Sequence, residues 1–137
     1  MQQRDGTTML GHISFGVQTL ARSQAFYDPV MKALGYERVF TAAHAIGYGL
    51  LGASRSEDRL LLTQHDGPVT PPSKGFHLAF DAPSREAVDR FHQAALQFGG
   101  VDNGAPGLRP HYGAEYYAAF IIDPDGYRLE AKYPPAR

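Results

Sequence analysis

The chain contains an internal repeat, and this repeat limits the folds that it can adopt. His12-Ile-Ser-Phe-Gly-Val returns as His77-Leu-Ala-Phe-Asp-Ala, 65 positions later, and the same offset relates Phe26 to Phe91. Matches that recur at one offset predict two similar structural modules. Because 137 residues are too few for two independent cores, we expect a single domain over residues 1–137. We place module one at about 9–66, a proline-rich linker at about 67–74 and module two at about 75–134.

Each module begins with a segment in which polar and apolar residues alternate. His12 alternates with Ile13 in residues 9–17, and His77 lies in a similar pattern in residues 76–82. A period of two is typical of a strand with two unlike faces. Both histidines are therefore predicted to lie on the polar face of the first strand of a module.

A helix is predicted after each of these strands. An apolar stripe at helical spacing follows Thr19 in module one and Ser84 in module two, and both residues are suited to cap a helix start. Pro29 lies inside the first stripe. Since proline lacks the backbone donor and clashes with the preceding turn, we expect it to bend or break that helix near Asp28.

The rest of each module is predicted to form further strands. Asp123-Pro-Asp-Gly is a tight-turn sequence between two apolar runs and predicts a hairpin. The order strand-helix-strand-strand-strand, repeated, predicts an α+β fold in which two βαβββ modules form a curved mixed sheet around a cavity. The predicted strands cover residues 36–43, 45–51 and 59–64 in module one, and 116–123 and 127–133 in module two, with a looser stretch at 101–103.

The composition excludes several classes of site and partner. With a net charge of -1, the chain lacks the basic excess of a protein that binds nucleic acid. It has no cysteine, so a disulfide framework and a thiolate metal site are excluded. No apolar run approaches the roughly 18 residues of a membrane span, and residues 1–8 carry no signal-peptide core. We expect a cytoplasmic protein with no membrane partner.

Three side chains form a candidate metal site. Glu130 alternates with Leu129 and is predicted on the polar face of the last strand, as His12 and His77 are on theirs. If the helices cover the apolar faces, a curved sheet brings these three side chains into one cavity. Two imidazoles and a carboxylate make a facial triad that leaves open positions for substrate on a divalent ion. Fe, Mn, Zn and Ni all accept these ligands, so the identity of the metal stays open.

Residues 107–117 form a second candidate region, rich in aromatic and basic side chains. His111 is a candidate acid/base near neutral pH, Arg109 could hold an anionic substrate group, and Tyr116 or Tyr117 could donate to a developing oxyanion. Neighbours on a strand point to opposite faces, so only one of the two tyrosines can face the cavity. The alternative is an aromatic loop that merely closes the cavity.

Two further residues are assigned candidate roles. Tyr48 is a candidate for contact with the substrate, together with Arg109 and Tyr117. Glu130 is a candidate catalytic residue besides being a ligand, because its carboxylate could shift to accept a proton. His111 and Tyr116 complete the predicted catalytic set.

Three motifs resemble those of the vicinal oxygen chelate superfamily, which includes glyoxalase I, fosfomycin and bleomycin resistance proteins and extradiol dioxygenases. The resemblance spans roughly residues 9–133 and implies paired βαβββ modules around a metal, with His12, His77 and Glu130 as ligands, and a homodimer. The motifs are the His12 segment with its following Ser23-x-x-Phe26-Tyr27 and Leu34-Gly35-Tyr36, the segment Gly75-Phe-His77-Leu-Ala-Phe, and Asp123-Pro-Asp-Gly-Tyr-Arg-Leu-Glu130.

One position departs from the glyoxalase I pattern. Glyoxalase I has a fourth ligand, a carboxylate on the last strand of the first module, and the equivalent residue here is Leu61. A leucine can neither ligate a metal nor accept a proton, which counts against true glyoxalase I activity. The resemblance implies a metal-dependent enzyme for a small substrate that chelates the metal through neighbouring oxygens, as an isomerase or lyase, a dioxygenase or a transferase. The alternative is a non-catalytic protein that binds or sequesters a small molecule, such as a drug.

Overall fold

The backbone follows the order of one strand, one helix and three strands, twice. The structure, a computed structural model, describes residues 9–54 and 57–135. Within these residues, no helix is long and apolar enough to cross a membrane. The elements are β1 (Ile13–Val17), α1 (Leu20–Ala33), β2 (Tyr36–Thr41), β3 (Ala45–Leu50), β4 (Leu60–Gln64), β5 (Leu78–Asp81), α2 (Arg85–Gln97), β6 (Val101–Leu108), β7 (Tyr117–Ile122) and β8 (Arg128–Tyr133).

The strands form two mixed sheets of four strands each. The first has the order β1-β4-β3-β2 and the second the order β5-β8-β7-β6. In each sheet the first and last strands of the unit pair in parallel, and the other neighbours are antiparallel. A parallel pair needs a crossover connection, which the helix and the two middle strands supply. The predicted α+β fold of two βαβββ units is confirmed.

The two sheets also share one register. Ser14 on β1 pairs with Leu61 on β4, and Ala79 on β5 pairs with Glu130 on β8. Ser14 and Ala79 each lie two residues after the histidine of the repeated motif. Leu61 therefore occupies in the first sheet the position that Glu130 occupies in the second.

Pro29 does not break the first helix. α1 continues without interruption from Leu20 to Ala33, so of the bend or break expected near Asp28, the break is wrong. Phe26 and Val30, on either side of the proline, are fully buried in the core. Burial of such side chains contributes about 1.5–3 kcal/mol each, which offsets the loss of a single backbone hydrogen bond at Pro29.

The sequence pattern predicts only the start of β6, the longest described strand. The predicted loose stretch at 101–103 is the start of β6, which extends to Leu108. Gly104 and Gly107 lie where the pairing of β6 with β7 shifts register. A strand rich in glycine and proline is tolerated at the edge of a sheet, where its bulges disturb a single neighbour.

The hairpin turn between β7 and β8 joins the two halves of the chain. Tyr27 on α1 donates to Asp123 Oδ2 at 2.5 Å, and Arg22 on the same helix contacts Asp125 Oδ1 at 2.8 Å. The Tyr127 hydroxyl donates to the backbone oxygen of Gly16 on β1 at 2.7 Å. Helices α1 and α2 also pack against each other, so the core is shared between the two βαβββ units.

The two helices begin differently. Ser84 caps α2, since its side chain accepts a hydrogen bond from the backbone nitrogen of Ala87 at 3.1 Å. Thr19 stands at the corresponding position of α1 but makes no such bond. There the backbone nitrogen of Leu20 donates to the side chain of Gln64 at 3.0 Å.

Replacement of Ser84 and of Thr19 should therefore have unequal effects. We expect Ser84→Ala to lower the free energy of unfolding by about 1 kcal/mol, because the Ala87 donor loses its partner. Thr19→Ala should cost less than half of that. Urea unfolding of both variants gives the comparison, and equal losses would contradict this description of the caps.

Candidate functional site

A buried carboxylate and a histidine meet on the second sheet. Glu130 is only 2% exposed, and its Oε1 lies 2.8 Å from His77 Nε2. A carboxylate only accepts, so this contact requires a proton on Nε2. Glu130 pairs with Phe120 on β7, so these two side chains lie on the same face of the sheet. Tyr117 lies three positions before Phe120 on β7 and therefore on the opposite face, where its hydroxyl contacts α2. Glu130 and His77 therefore lie on the face of the sheet that points away from the helix.

Tyr116 completes the hydrogen bonding of this carboxylate. Its hydroxyl donates to Glu130 Oε2 at 2.5 Å. Burial and the contact with Glu130 raise the pKa of Tyr116, so the hydroxyl keeps its proton over the physiological range. The adjacent Tyr117 donates instead to Asp89 on α2 at 2.6 Å. As strand alternation predicts, a single tyrosine of the pair faces the site, and Tyr117 is not brought to it.

Three neighbouring aromatic rings, those of His111, Tyr112 and Tyr116, connect the exposed surface with Glu130. The ring centroids of His111 and Tyr112 are 4.1 Å apart, and those of Tyr112 and Tyr116 are 5.3 Å apart. His111 is exposed and lies two rings away from the carboxylate. A proton transfer by His111 at Glu130 would therefore need a substrate, a water or a loop movement between them.

Arg109 has a structural contact in addition to its predicted role. One of its terminal nitrogens donates to the backbone oxygen of Ala105 at 2.7 Å, and the guanidinium lies 5.3 Å from the ring centroid of Phe120. Phe120 in turn lies beside His77, with ring centroids 6.1 Å apart. Arg109 thus holds the end of β6 over the same face of the sheet.

An ion pair that the sequence analysis did not single out lies beside the site. Lys132 Nζ is 2.9 Å from Asp81 Oδ1 and 5.7 Å from the ring centroid of Tyr116. Lys132 lies two positions after Glu130 on β8, and Asp81 on β5 lies four positions after His77, the residue that directly precedes that strand. Parity along β5 and β8 was therefore sufficient to place both residues on this face.

His12 and Tyr48 lie elsewhere. His12 lines a cavity of about 370 Å³ together with Arg59 and Asp81, and neither His77 nor Glu130 lines it. Tyr48 borders the same cavity, but it is buried, and its hydroxyl donates to Asp28 on α1 at 2.6 Å. The side chain of Tyr48 therefore packs on the helix side of the first sheet.

The predicted ligand set is brought together in part. Within residues 9–54 and 57–135, no three histidine, aspartate or glutamate side chains are placed to hold one ion. His77 and Glu130 do meet, and an imidazole nitrogen beside a buried carboxylate oxygen suits a borderline divalent cation. The pair fits half of a metal site, to which His12 of the same chain does not contribute.

Comparisons with known proteins agree with this fold. A family model described as "Glyoxalase/Bleomycin resistance protein/Dioxygenase superfamily" matches residues 9–131. A glyoxalase/bleomycin resistance protein from Albidiferax ferrireducens T118 is 30% identical with a TM-score of 0.78, over 93% of this chain and 100% of that one. No curated protein matches the chain.

More distant solved structures share the fold. A glyoxalase-related enzyme from Fulvimarina pelagi is 21% identical with a TM-score of 0.65, over 92% of this chain and 88% of that one. A glyoxalase I variant from Zea mays is 25% identical with a TM-score of 0.66. The match covers 88% of this chain and 44% of the maize chain. The family match over nearly the whole described sequence and the repeated βαβββ architecture lead to one conclusion: the chain belongs to the Glyoxalase/Bleomycin resistance protein/Dioxygenase superfamily.

Proposed function

We propose that this protein is a divalent-metal enzyme acting on a small substrate that binds the metal through two neighbouring oxygens. The observation that carries the proposal is the contact between His77 Nε2 and the buried Glu130 Oε1 at 2.8 Å. A buried carboxylate is costly unless it is paired or coordinates a metal. The half-exposed His77 leaves this one open to a ligand from outside.

We assign His12, His77 and Glu130 as the protein ligands and propose that the active form is a homodimer. Since the described residues of one chain do not bring the three together, His12 of a second copy is proposed to complete the set. Symmetric dimers repeat the same contact twice, so each dimer would hold two equivalent sites.

The residues around the pair suit chemistry on an oxygen-rich substrate. When bound, the metal would act as a Lewis acid and stabilise negative charge that develops on the substrate. Tyr116 donates its single proton to Glu130 Oε2 and keeps that proton, so it orients the carboxylate, and it could donate to a substrate oxygen only by giving up this hydrogen bond. Glu130 is the proposed proton acceptor. Nearby, Arg109 lies over the ring of Phe120, His111 contacts Tyr112, and Lys132 pairs with Asp81.

The reaction class stays open among isomerase or lyase, dioxygenase and transferase chemistry. Leu61 stands at the register equivalent of Glu130, so β4 offers no second carboxylate at that position. True glyoxalase I activity, in which a metal-bound carboxylate moves a proton between neighbouring carbons, is for this reason not the activity that we propose.

Metal binding by protein purified without chelator tests the proposal. We expect about one divalent ion per chain after titration with Co²⁺, and a loss of affinity of at least about 100-fold in His77→Ala. His44→Ala, which removes an exposed histidine from a turn, is the matched control and should bind as the wild type does. If Co²⁺ does not bind, or His77→Ala binds it normally, the enzyme proposal is wrong and a metal-free binding protein is the better description.

A further inference from the structure

A second buried carboxylate oxygen lies on the first sheet, without a partner. Asp58 Oδ2 is buried and has no hydrogen-bond partner in the part of the chain that the structure describes. The residue precedes β4 and folds back over β3. A Cβ placed on Gly47 would stand 2.5 Å from Oδ2, and one placed on Gly49 would stand 3.5 Å from the Asp58 Cα. The two glycines thus leave the space that the aspartate fills.

The Asp58 carboxylate lies close to Leu61, the position at which the first sheet lacks the equivalent of Glu130. Gly47 pairs with Leu61, as Phe120 pairs with Glu130 in the second sheet. Tyr48 follows Gly47 in the chain and faces α1, so Gly47 and the aspartate above it lie on the opposite face, away from the helix. Adjacent strands are about 4.8 Å apart, so Asp58 occupies space one strand away from Leu61.

Among residues 9–54 and 57–135, no cationic side chain contacts this oxygen. The nearest arginine in sequence, Arg59, directs a terminal nitrogen to the backbone oxygen of Glu57 at 3.5 Å. Most buried polar side-chain atoms have a hydrogen-bond partner, and each exception calls for an explanation such as an ion. A cation on this face of the first sheet would give Asp58 Oδ2 the partner that the described residues do not.

We propose that Asp58 supplies, to the metal of the proposed function, the carboxylate that Leu61 cannot. Asp58 and His12 would then bind from the first sheet of one copy, and His77 and Glu130 from the second sheet of the other. The inference depends on the proposed function, because it assumes a metal held by His77 and Glu130. With Asp58, each half of the repeat would contribute one carboxylate to the metal. The first half would use Asp58, which precedes a strand, and the second half uses Glu130, which lies on a strand.

Co²⁺ is a suitable probe, because its visible absorption depends on the number and type of its ligands. We expect Asp58→Asn to lower Co²⁺ affinity at least about 10-fold and to change the shape and intensity of the visible spectrum. Asp66→Asn, which neutralises an exposed aspartate just after β4, is the matched control and should titrate as the wild type does. Leu61→Glu added to Asp58→Asn should recover affinity.

A second variant tests the position without removal of a charge. Gly47→Ala introduces a methyl group where Asp58 Oδ2 lies and should weaken Co²⁺ binding by displacing the carboxylate. If His77→Ala loses Co²⁺ while Asp58→Asn and Gly47→Ala bind it normally, the role of Asp58 is wrong and the proposed function stands. If His77→Ala also binds Co²⁺ normally, both are wrong.

Discussion

Between pH 4 and pH 7, the Asp123→Asn variant is expected to gain about 2 kcal/mol of stability relative to the wild-type protein. Asp123 is 3% exposed and accepts hydrogen bonds from Tyr27 and from the backbone nitrogens of Asp125 and Tyr127. Burial raises the pKa of Asp123 to about 6 and outweighs the opposing effect of these donors. The carboxylate is therefore harder to ionise in the folded protein than in the unfolded chain.

The sign of the effect follows from the protons bound in each state. Below about pH 4, Asp123 is largely protonated in both the folded and unfolded states, and its contribution to stability is fully present. As the pH rises through the folded pKa of about 6, the unfolded chain releases the proton first, and the wild-type protein loses stability. An asparagine of similar shape does not titrate, so this loss is absent from the variant.

Urea unfolding at several pH values between 4 and 7 measures the difference directly. All other titratable groups are common to both proteins, so their contributions cancel when the two free energies of unfolding are subtracted. The difference should increase steadily and level off near pH 7. A difference that stays flat would show that Asp123 is not the group that titrates, and a decrease would contradict the assigned direction of the pKa shift.

Glu130→Leu is expected to abolish measurable Co²⁺ binding, with a loss of affinity of more than about 1000-fold. The variant places a leucine at position 130, as the first sheet has a leucine at the equivalent position 61. The fold should survive, since replacement of a paired buried charge by an apolar side chain is often close to neutral for stability. Isothermal titration with Co²⁺ and urea unfolding of the same sample separate the two effects.

Mixed dimers test whether the ligands come from two chains. His12→Ala and Glu130→Leu should each bind no Co²⁺ alone. When equal amounts are unfolded and refolded together, about half of the dimers are mixed and each holds one intact site of two, so about one quarter of all sites should bind. If one chain supplied all three ligands, the mixture would bind no more than its components.

Much of the candidate site could be predicted because strands alternate strictly. Parity alone placed His77 and Glu130 on one face, and the structure has them in contact. The same rule limited Tyr116 and Tyr117 to one inward-facing ring, and Tyr116 is the one that contacts the carboxylate. The repeat of 65 residues predicted two equal units, which the shared register of Leu61 and Glu130 confirms.

Features that depend on three-dimensional packing could not be predicted in this way. Pro29 stays inside α1 because buried neighbours on both sides hold the helix in place. Asp58 belongs to a loop by its sequence, and its position over Gly47 depends on how that loop folds back on β3. The sequence likewise placed His12 with the other two ligands, whereas the described residues of one chain do not bring the three together.

The turn that closes the second sheet also shapes how the chain must fold. Because this turn contacts α1 through Tyr27 and β1 through Gly16, and the core is shared between the two units, neither half keeps a complete interior when separated from the other. We expect that a cut between Gln64 and Leu78 would give two fragments that are unfolded alone and that reassemble on mixing. The two similar halves thus depend on each other, and we expect the intact chain to unfold in a single cooperative transition.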